Sequence, residues 1–404
     1  MNQFDVVIVG AGPAGITAAL LLGEAGLSIA LLEKERFPRP KTCGDGITPD
    51  IIRQLGLIAP ELQQKFTAAA ETTSYNKLIL TAPNGREVVV PLPGNNGFSS
   101  MYACRRIDFD QLLFDHLKQR NKVEIIEGCR ITSVDVDQHS VELKTSTGTL
   151  TASLVIGADG ANSIVARALH LPLIPDSDKA FAVRAYFKDL DYGLGGLSPR
   201  VIFHRKLLPG YFWIFPFNDG SANVGLGMTL KEIKKHNLKP EELLMQMTGC
   251  KEMQQMFQKA KPEGRLKGHY IPLGRKGRPL SGHRILLAGD AAGLAHPLTA
   301  EGIGNAIRSG RLAATHAQNC FLRESFSASF NKAYDKEIYR RTSREFCNFR
   351  YMQRLFHYSV VLNLMARLAT PRLIGMLTNP DTIAHLQEQK YLPVRLLYLM
   401  IKNR

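Results

Sequence analysis

The chain has 404 residues, of which 45% are hydrophobic and 22% are charged, and its formal net charge is +15. At about 150 residues per domain this length predicts two or three domains, and the composition excludes a disordered, collagen-like or coiled-coil chain. The positive charge favours an anionic partner, either nucleic acid or an anionic membrane surface.

Cysteine usage and hydropathy point to a reducing compartment. The six cysteines show no paired spacing, which predicts neither a disulfide framework nor a zinc or other metal site. The start, MNQFDVVIVG, runs directly into an apolar strand pattern, without the charged region and cleavage site of a secretory signal. No apolar run reaches the roughly 18 residues of a membrane-spanning helix. We expect a cytoplasmic protein, with peripheral attachment to the cytoplasmic membrane as an alternative.

The first predicted elements are a strand, a glycine-rich turn, a helix and a second strand. Phe4 to Val9 is a continuous apolar run, which is typical of a strand buried on both faces. The sequence GAGPAG follows at residues 10–15, then a helical stretch from Ile16 to Ala25 and an apolar run from Ser28 to Leu32. An acid, Glu33, ends this run. Such an order within about 30 residues makes the glycine pattern a dinucleotide-binding fingerprint.

The turn provides the predicted pyrophosphate site. Gly10 permits the tight turn, Gly12 lets the backbone approach a pyrophosphate, and Gly15 allows the helix to pack closely on the strand. The helix N-terminus offers free N–H groups and the positive end of its dipole. A carboxylate at Glu33 can accept hydrogen bonds from an adenosine ribose and would repel the 2′-phosphate of NADP, so the site favours FAD or NAD. The predicted contacts are Gly10, Gly12, Pro13, Ala14, Gly15, Glu33 and Lys34.

Two later segments have the same strand-to-turn character. The first is LVIGADGANS at residues 154–163, and the second is RILLAGDAAG at residues 284–293. Asp290, at the end of a strand, can bind ribityl hydroxyls, and the glycine-rich start of the next helix can direct N–H groups at the N1/C2 carbonyl of a flavin. The predicted contacts are Gly289, Asp290, Pro297, Gly302 and Ile303. One nucleotide site built from such distant segments implies a domain that insertions divide.

The intervening segments predict a second type of sheet. Apolar and polar residues alternate near 78–90, around the turn Pro83-Asn84-Gly85, and again over 180–227. We expect an antiparallel sheet that covers the cofactor and shapes a substrate cavity. From about residue 320 the pattern is helical. The predicted α/β fold therefore has a split Rossmann-like FAD-binding domain, an inserted antiparallel substrate domain and a basic helical C-terminal region. We expect the FAD-binding domain over residues 1–75, 98–170 and 278–320, and the substrate domain over residues 76–97 and 171–277. The C-terminal region covers residues 321–404.

Further motifs identify a family resemblance. Residues 40–46, PKTCGDG, resemble the P-x-K-x-C-G-G/D/E-G turn of the geranylgeranyl reductase family. Residues 211–216, YFWIFP, followed by GLG at 225–227, are similar to its Y-x-W-x-F-P…G-x-G motif, and residues 289–303 read as its version of the third nucleotide segment. Over residues 1 to about 320 the chain resembles the p-hydroxybenzoate hydroxylase-like FAD-dependent oxidoreductases, of which that family is a part.

The resemblance implies that hydride from N5 of reduced FAD reduces carbon–carbon double bonds of a prenyl chain. Cys43 is then a candidate proton donor or flavin contact. Tyr211 and Trp213 alternate along one strand, so both face the same side, where they can fix an isoprene unit; the Tyr211 hydroxyl is an alternative proton donor. Further cofactor contacts implied by the resemblance are Cys43, Gly44, Gly46, Arg106 and Ile131.

Three alternatives share the same cofactor. An FAD-dependent monooxygenase or epoxidase would act on an apolar substrate with oxygen, and a flavin halogenase is disfavoured because its W-x-W-x-I-P strand is absent. A membrane-associated protein with FAD as a structural ligand would not turn over. The electron donor is also open: the sequence has neither a second glycine fingerprint nor a cysteine cluster, so NAD(P)H and an external ferredoxin both fit.

The C-terminal region carries much of the charge. Residues 331–404 contain 13 Lys/Arg and 5 Asp/Glu, interleaved with Leu, Met, Phe and Tyr, as in the stretch from Pro393 to Lys402. This pattern suits helices at an anionic bilayer surface, and the alternative is an ordinary helical pair with a solvated outer face. No nucleic-acid-binding motif is present, so we do not expect a nucleic-acid partner.

Overall fold

Three β-sheets organise the residues that the computed structural model describes, which are 3–92, 101–120, 122–193, 196–371 and 373–374. In chain order, the elements up to residue 168 are β1 (Gln3–Val9), α1 (Pro13–Leu22), β2 (Ile29–Glu33), β3 (Gly46–Ile47), α2 (Pro49–Ile58), α3 (Pro60–Ala68), β4 (Thr73–Tyr75), β5 (Lys77–Thr81), β6 (Glu87–Pro91), β7 (Met101–Ala103), α4 (Arg106–Lys118), β8 (Glu124–Glu127), β9 (Ile131–Val136), β10 (Val141–Thr145), β11 (Gly148–Gly157) and α5 (Ile164–Ala168).

The elements that follow begin with the long strand that enters the second sheet. They are β12 (Lys179–Lys188), β13 (Arg200–Ile202), β14 (Tyr211–Pro216), β15 (Ala222–Thr229), α6 (Leu230–Lys235), α7 (Pro240–Thr248), α8 (Gln254–Phe257), β16 (Lys261–Pro272), β17 (Ser281–Gly282), β18 (Ile285–Leu287), α9 (Ile303–Leu322), α10 (Ala328–Leu355) and α11 (Ser359–Leu368).

The first sheet is the predicted Rossmann-like sheet. Its strands follow the order β17-β18-β11-β1-β2-β8, with β10 and β9 extending from β11. β1 pairs in parallel with both β2 and β11, and β11 pairs in parallel with β18. The three sequence segments singled out for nucleotide binding therefore end on adjacent strands, at the carboxyl edge of the sheet where α/β proteins bind ligands.

Helix α1 starts earlier than its apolar pattern predicts. It runs from Pro13 to Leu22 rather than from Ile16 to Ala25, with Gly12 as the N-cap residue. Proline fits the first helical position because its missing N–H has no intrahelical partner there. The earlier start brings the helix N-terminus directly against the glycine turn.

The second sheet is the predicted inserted sheet. Its strands follow the order β16-β12-β15-β14-β13-β5-β6, and neighbouring strands are antiparallel except for the parallel pair β13 and β5. One face buries residues such as Val183, Phe212 and Leu226 in a hydrophobic core that also includes residues from α6 and α7. The opposite face borders the cavity next to the first sheet. A small third sheet, β3-β7-β4, contains no predicted element.

The C-terminal region is helical as far as the structure describes it. α10 contacts β17 and α9, and α11 follows. Residues 375–404, which include the basic and aromatic stretch from Pro393 to Lys402, lie outside the described residues. Within the described part of the chain, no helix combines the length and apolar character needed to cross a bilayer.

Candidate active site

A cavity of about 1070 Å³ lies between the first and second sheets and brings the predicted site residues together. It is continuous from the glycine turn after β1 to the inner face of the second sheet. Its lining includes every predicted site residue except Gly15, namely Gly10, Gly12, Pro13, Ala14, Glu33, Lys34, Cys43, Gly44, Gly46, Arg106, Ile131, Tyr211, Trp213, Gly289, Asp290, Pro297, Gly302 and Ile303.

The glycine turn has the geometry that a pyrophosphate needs. Gly10 has φ +99°, a backbone conformation that residues with a side chain rarely adopt. Any side chain at Gly15 would collide with the Gly10 carbonyl oxygen. A side chain at Gly12, in contrast, would meet nothing within 4 Å, so the backbone is open towards the cavity. α1 has no acidic residue in its first turn and no side-chain cap from Gly12. Its N–H groups and dipole can therefore act on an anion.

Glu33 has internal partners in addition to its predicted ligand. It is 5% exposed, and its Oε2 accepts a hydrogen bond from Ala11 N at 3.0 Å and lies 3.3 Å from Arg39 Nε. The carboxylate thus fixes the glycine turn as well as facing the cavity, which the sequence analysis did not anticipate. Lys34 is exposed, Ile131 at the start of β9 is buried, and both line the cavity.

Arg106 is held by an ion pair at the cavity wall. Its Nε and Nη2 donate to the two carboxylate oxygens of Asp110 at 2.8 and 2.9 Å, and Arg39 Nη1 donates to the same carboxylate at 3.0 Å. Lys41, a residue of the turn at 40–46 that was not predicted to belong to the site, lines the same cavity. Burial lowers the pKa of Lys41, and within the described residues its ammonium group makes neither a hydrogen bond nor an ion pair. A half-buried cation without a hydrogen-bond or ion-pair partner is suited to a phosphate or a flavin carbonyl.

The residues before α9 form the other side of the cofactor region. Gly289 has φ +61°, and its N–H donates to Ser309 Oγ at 2.9 Å. Asp290 follows β18 and lines the cavity, as do Pro297 and Ile303. A side chain at Gly302 would come within 3.2 Å of Asp290 Oδ1, so the glycine leaves room for this carboxylate.

One N–H in the first turn of α9 is already occupied. From the sequence, we expected this helix start to direct its N–H groups at a flavin carbonyl. In the structure, Gly304 N donates to Glu301 Oε1 at 2.9 Å. A carboxyl group of the chain itself therefore sits at the positive end of the helix, and Glu301 was not among the predicted site residues.

A buried hydrogen-bond network fixes the turn that carries Cys43. Asn223 Nδ2 donates to the Cys43 carbonyl at 2.8 Å and to Asp45 Oδ2 at 2.7 Å, and Tyr186 Oη donates to the same Asp45 oxygen at 2.7 Å. Trp213 Nε1 donates to Asn223 Oδ1 at 2.9 Å. Asp45 and Asn223 are both 0% exposed. The network attaches the turn to β14 and β15, and sequence reasoning missed Asp45, Tyr186 and Asn223.

Gly44 and Gly46 are explained by aromatic packing as well as by the cavity. A methyl group at Gly44 would lie 3.3 Å from Trp213 Cε2, and one at Gly46 would lie 2.9 Å from Phe215 Cε2. The glycines therefore let two aromatic side chains of β14 pack directly on the backbone of the turn. Cys43, partly buried beside them, remains a neutral thiol because burial raises its pKa, although Arg106 opposes this shift.

The inner face of the second sheet is an apolar wall. Alternate residues of β14 share this face, with ring centroids 6.1 Å apart for Tyr211 and Trp213 and 6.5 Å apart for Trp213 and Phe215. The Tyr211 hydroxyl donates to the Thr299 carbonyl. We call this surface, together with its extension over the neighbouring strands and loops, the apolar wall; it comprises Leu78, Leu80, Val201, Phe203, Tyr211, Trp213, Phe215 and Leu298.

The arrangement fits a flavin dinucleotide next to a long apolar substrate. The glycine turn, the helix N-terminus and the unpartnered Lys41 suit the phosphates, and the apolar wall faces the same cavity. No cluster of metal-ligating side chains occurs among the described residues. Asp159, in contrast, serves structure: it caps α5 by accepting hydrogen bonds from Ser163 Oγ and from the N–H groups of Ile164 and Val165.

Comparisons with known proteins agree with this geometry. The model of an FAD binding domain matches residues 3–195, and the model of a geranylgeranyl reductase catalytic domain matches residues 199–260. The chain is 30% identical to digeranylgeranylglycerophospholipid reductase 2 of Methanopyrus kandleri, over 82% of this chain and 81% of that protein. It is 31% identical to geranylgeranyl diphosphate reductase of Rhodobacter capsulatus, over 82% of this chain and 79% of that protein.

The fold is shared with solved structures. A crystal structure of a geranylgeranyl bacteriochlorophyll reductase-like protein from Thermoplasma acidophilum has a TM-score of 0.80 and 21% identity, covering 99% of this chain and all of that one. The fold and the cavity define an FAD-dependent oxidoreductase. More specifically, the chain belongs to the geranylgeranyl reductase family, whose reaction is the FAD-dependent reduction of carbon–carbon double bonds in prenyl chains.

Proposed function

We propose that the protein reduces isolated double bonds of a lipid-borne prenyl chain that lies along the apolar wall. The observation that carries this proposal is that the wall and the nucleotide-binding turn share one cavity. FAD, when bound and reduced, supplies the hydride from N5. The chain's own contribution is to bind the alkene in a reactive orientation and to exclude water from it.

Tyr211 and Trp213 are proposed to position the substrate. Tyr211 is tied to the Thr299 carbonyl and Trp213 to Asn223, so both rings are fixed before a substrate arrives. Burial raises the pKa of Tyr211, which makes its hydroxyl a weak acid. We therefore assign the two rings to holding an isoprene unit rather than to proton transfer.

Cys43 is proposed to contact the reacting edge of the cofactor. Its carbonyl is held by Asn223 and its thiol lies beside Arg106 at the cavity surface. Because the turn is fixed by the buried network, the thiol occupies a defined place at the cavity surface. The residues proposed to hold FAD are those predicted from sequence, with Lys41 added to them.

An anaerobic reaction tests the proposed function. Holoenzyme reduced with dithionite is incubated with geranylgeranyl diphosphate or with digeranylgeranylglycerol phospholipid, and the products are analysed by mass spectrometry. We expect a gain of two hydrogens for each reduced bond, and a product that contains an added oxygen atom, or unchanged substrate in both cases, would contradict the proposal. Phe203→Asp, on the apolar wall, should abolish the reaction, whereas Val89→Asp, on an exposed edge strand, is the matched control.

A membrane surface is the proposed source of the substrate. Tyr358 and Val360 are 65% and 74% exposed, Leu364 is 43% exposed, and residues 351–371 contain arginines but no acidic residue. The helix that carries this face packs against the apolar wall, because Phe203 and Leu298 share a hydrophobic cluster with the end of α10 and with Leu362 of α11. Exposed apolar groups beside arginines suit the interface of an anionic bilayer.

Vesicle binding tests the membrane proposal. The protein should sediment with vesicles of phosphatidylglycerol and much less with vesicles of phosphatidylcholine. The double variant Val360→Asp, Leu364→Asp should lose binding, and Leu173→Asp, at a site that is 92% exposed outside α10 and α11, should retain it. Equal sedimentation of all three proteins would contradict the proposal.

The electron donor is proposed to be external, and two classes fit. Anaerobic bleaching of the flavin by NAD(P)H alone would identify a nicotinamide donor, and bleaching only with reduced ferredoxin would identify an iron–sulfur donor.

We also propose that the domain boundaries given above separate cofactor binding from substrate binding. In support, the strands of the first sheet come from residues 3–33, 124–157 and 281–287, and those of the second come from 77–91 and 179–272.

A further inference from the structure

Saturating a double bond requires a proton as well as a hydride, and the cavity wall contains few acids that can supply one. The hydroxyl of Tyr211 donates to a carbonyl, and burial raises its pKa. The thiol of Cys43 is likewise made a weaker acid by burial. Other carboxyl residues also line the cavity, but Asp45 accepts hydrogen bonds from Asn223 and Tyr186, and Asp290 lies in the cofactor region. Glu301, in the loop before α9, is the carboxyl residue of this lining whose charge acts on Tyr211 of the apolar wall.

Glu301 is held in place at the cavity surface. Its Oε1 accepts a hydrogen bond from Gly304 N at 2.9 Å, and its backbone carbonyl accepts one from His296 N at 2.7 Å. Glu301 also acts electrostatically on Tyr211 of the apolar wall. The carboxyl group is thus fixed on the same cavity surface that binds the prenyl chain in our proposal.

A second carboxylate lies next to Glu301. A methyl group at Gly304 would be 2.7 Å from Asp50 Oδ2 and 3.5 Å from Glu301 Oε2, so the two acids flank the same glycine. Arg308 Nη2 binds both oxygens of Asp50 at 2.9 and 2.8 Å, and Arg53 binds Oδ1 at 2.7 Å. Two arginines therefore keep Asp50 ionised, whereas Glu301 has no arginine of its own among the described ion pairs.

This environment assigns the proton to Glu301. Burial raises the pKa of Glu301 to about 7, and the charge of Asp50 adds to the shift, while the N–H groups of Gly304 and Ile303 and the charge of Arg308 oppose it. Burial also acts to raise the pKa of Asp50, but Arg308 and Arg53 outweigh it and hold that pKa below its usual value. Neighbouring acids whose pKa values are driven apart are the usual arrangement of a general acid beside a permanent carboxylate.

We propose that protonated Glu301 is the proton donor for the double-bond reduction, an inference that rests on the proposed function. The Glu301 O–H bond breaks and its proton forms a C–H bond on one alkene carbon, while the hydride supplied by reduced FAD forms the C–H bond on the other. The alkene gains two electrons, which the cofactor loses. Glu301 is left as a carboxylate and regains its proton from solvent.

Isosteric removal of the acid tests this assignment. In the anaerobic assay with geranylgeranyl diphosphate, Glu301→Gln should lower the single-turnover rate by about 100-fold or more, as expected for loss of a general acid. Glu301→Asp, which retains an acid, should recover part of the rate. Glu345→Gln is the matched control, because Glu345 is another carboxyl with a pKa raised by burial but does not line the cavity.

Two readouts separate a proton donor from a structural residue. The wild-type rate should fall as the pH rises through about 7, and Glu301→Gln should lose this limb. Infrared spectra of the FAD-loaded protein give a readout that does not depend on turnover. Wild type and Glu345→Gln should show a protonated carboxyl band that is lost as the pH rises through about 7. Glu301→Gln should lack this band at every pH.

Distinct outcomes would overturn the two proposals. The assignment of Glu301 would be overturned if Glu301→Gln reacted within about threefold of the wild-type rate with the same pH profile. It would also be overturned if the fall in rate above about pH 7 were lost in Cys43→Ala instead of in Glu301→Gln. Absence of any reduced product in wild type would instead overturn the proposed function.

Discussion

The indole of Trp213 lies against the backbone of Gly225 on the neighbouring strand. A methyl group at Gly225 would lie 2.7 Å from Trp213 Cε2, and closer still to Cζ2. The ring also meets Gly44 of the turn that carries Cys43, where a methyl group would lie 3.3 Å from Trp213 Cε2. Glycine at both positions therefore sets the depth of the apolar wall and its distance from the turn.

Adding a methyl group at Gly225 should displace the ring. We expect Gly225→Ala to lower the free energy of unfolding by about 1–3 kcal/mol, as for overpacking of a tight core. It should also shift the fluorescence of Trp213, the only tryptophan of the chain. Gly227→Ala is the control, because the nearest atoms to its methyl group would be 3.8 Å away. Equal unfolding temperatures and emission spectra for the two variants would contradict this packing.

Loss of Asn223 should destabilise the Cys43 turn. Asn223→Ala removes two donors and one acceptor from a fully buried network, leaving Asp45 and the Trp213 N–H without this partner. Each unsatisfied buried group costs about 1–3 kcal/mol, so we expect a loss of at least about 2 kcal/mol in urea unfolding. Asn84→Ala, in the exposed β5–β6 turn, should cost less than about 1 kcal/mol. Similar losses for both would argue against the network.

Lys41 should contribute to FAD affinity. Lys41→Met keeps the apolar stem but removes the half-buried cation, so we expect FAD binding to weaken by about 10- to 100-fold, the equivalent of one charge-assisted hydrogen bond. Titration of the apoprotein with FAD measures this, with Lys65→Met, at an exposed position of α3, as the control. Unchanged affinity in Lys41→Met would remove Lys41 from the site.

The proton on Glu301 should make stability depend on pH. Its pKa is about 7 in the folded protein and usually 4.5, so between these values the folded state holds a proton that the unfolded state lacks. The free energy of unfolding of wild type therefore decreases as the pH rises through this range, by at most about 3.4 kcal/mol. Glu301→Gln should lose this decrease, and Glu241→Gln, on the surface of α7, should retain it. Identical pH profiles of thermal unfolding for wild type and Glu301→Gln would contradict the shift.

The nucleotide side of the molecule could be predicted from local sequence patterns. One short segment contains β1, the turn from Gly10 to Gly15 and Glu33 at the end of β2. Within such a segment, the hydrophobic periodicity and the spacing of the motif residues can be recognised directly in the sequence. The alternation of Tyr211 and Trp213 likewise predicted a shared face, since successive side chains of a strand point to opposite sides.

The support of the site could not be predicted in this way. Asp45 contacts Tyr186 and Asn223, which lie 141 and 178 residues further along the chain. No local pattern links such positions. Glu301 and Lys41 stood within recognised motifs, but their burial and the arginines that neutralise Asp50 depend on how α2, α9 and the sheets pack. Sequence alone therefore indicated the cavity but not its proton-bearing group.

The central claim is that the apolar wall presents a prenyl double bond to the reduced cofactor. The most direct measurement is the recovery of oxidised-flavin absorption when geranylgeranyl diphosphate is mixed with dithionite-reduced holoenzyme, freed of excess dithionite, in the absence of oxygen. We predict recovery in proportion to the double bonds reduced, and strong slowing in Phe203→Asp. Flavin that stays bleached until oxygen is admitted would contradict the account.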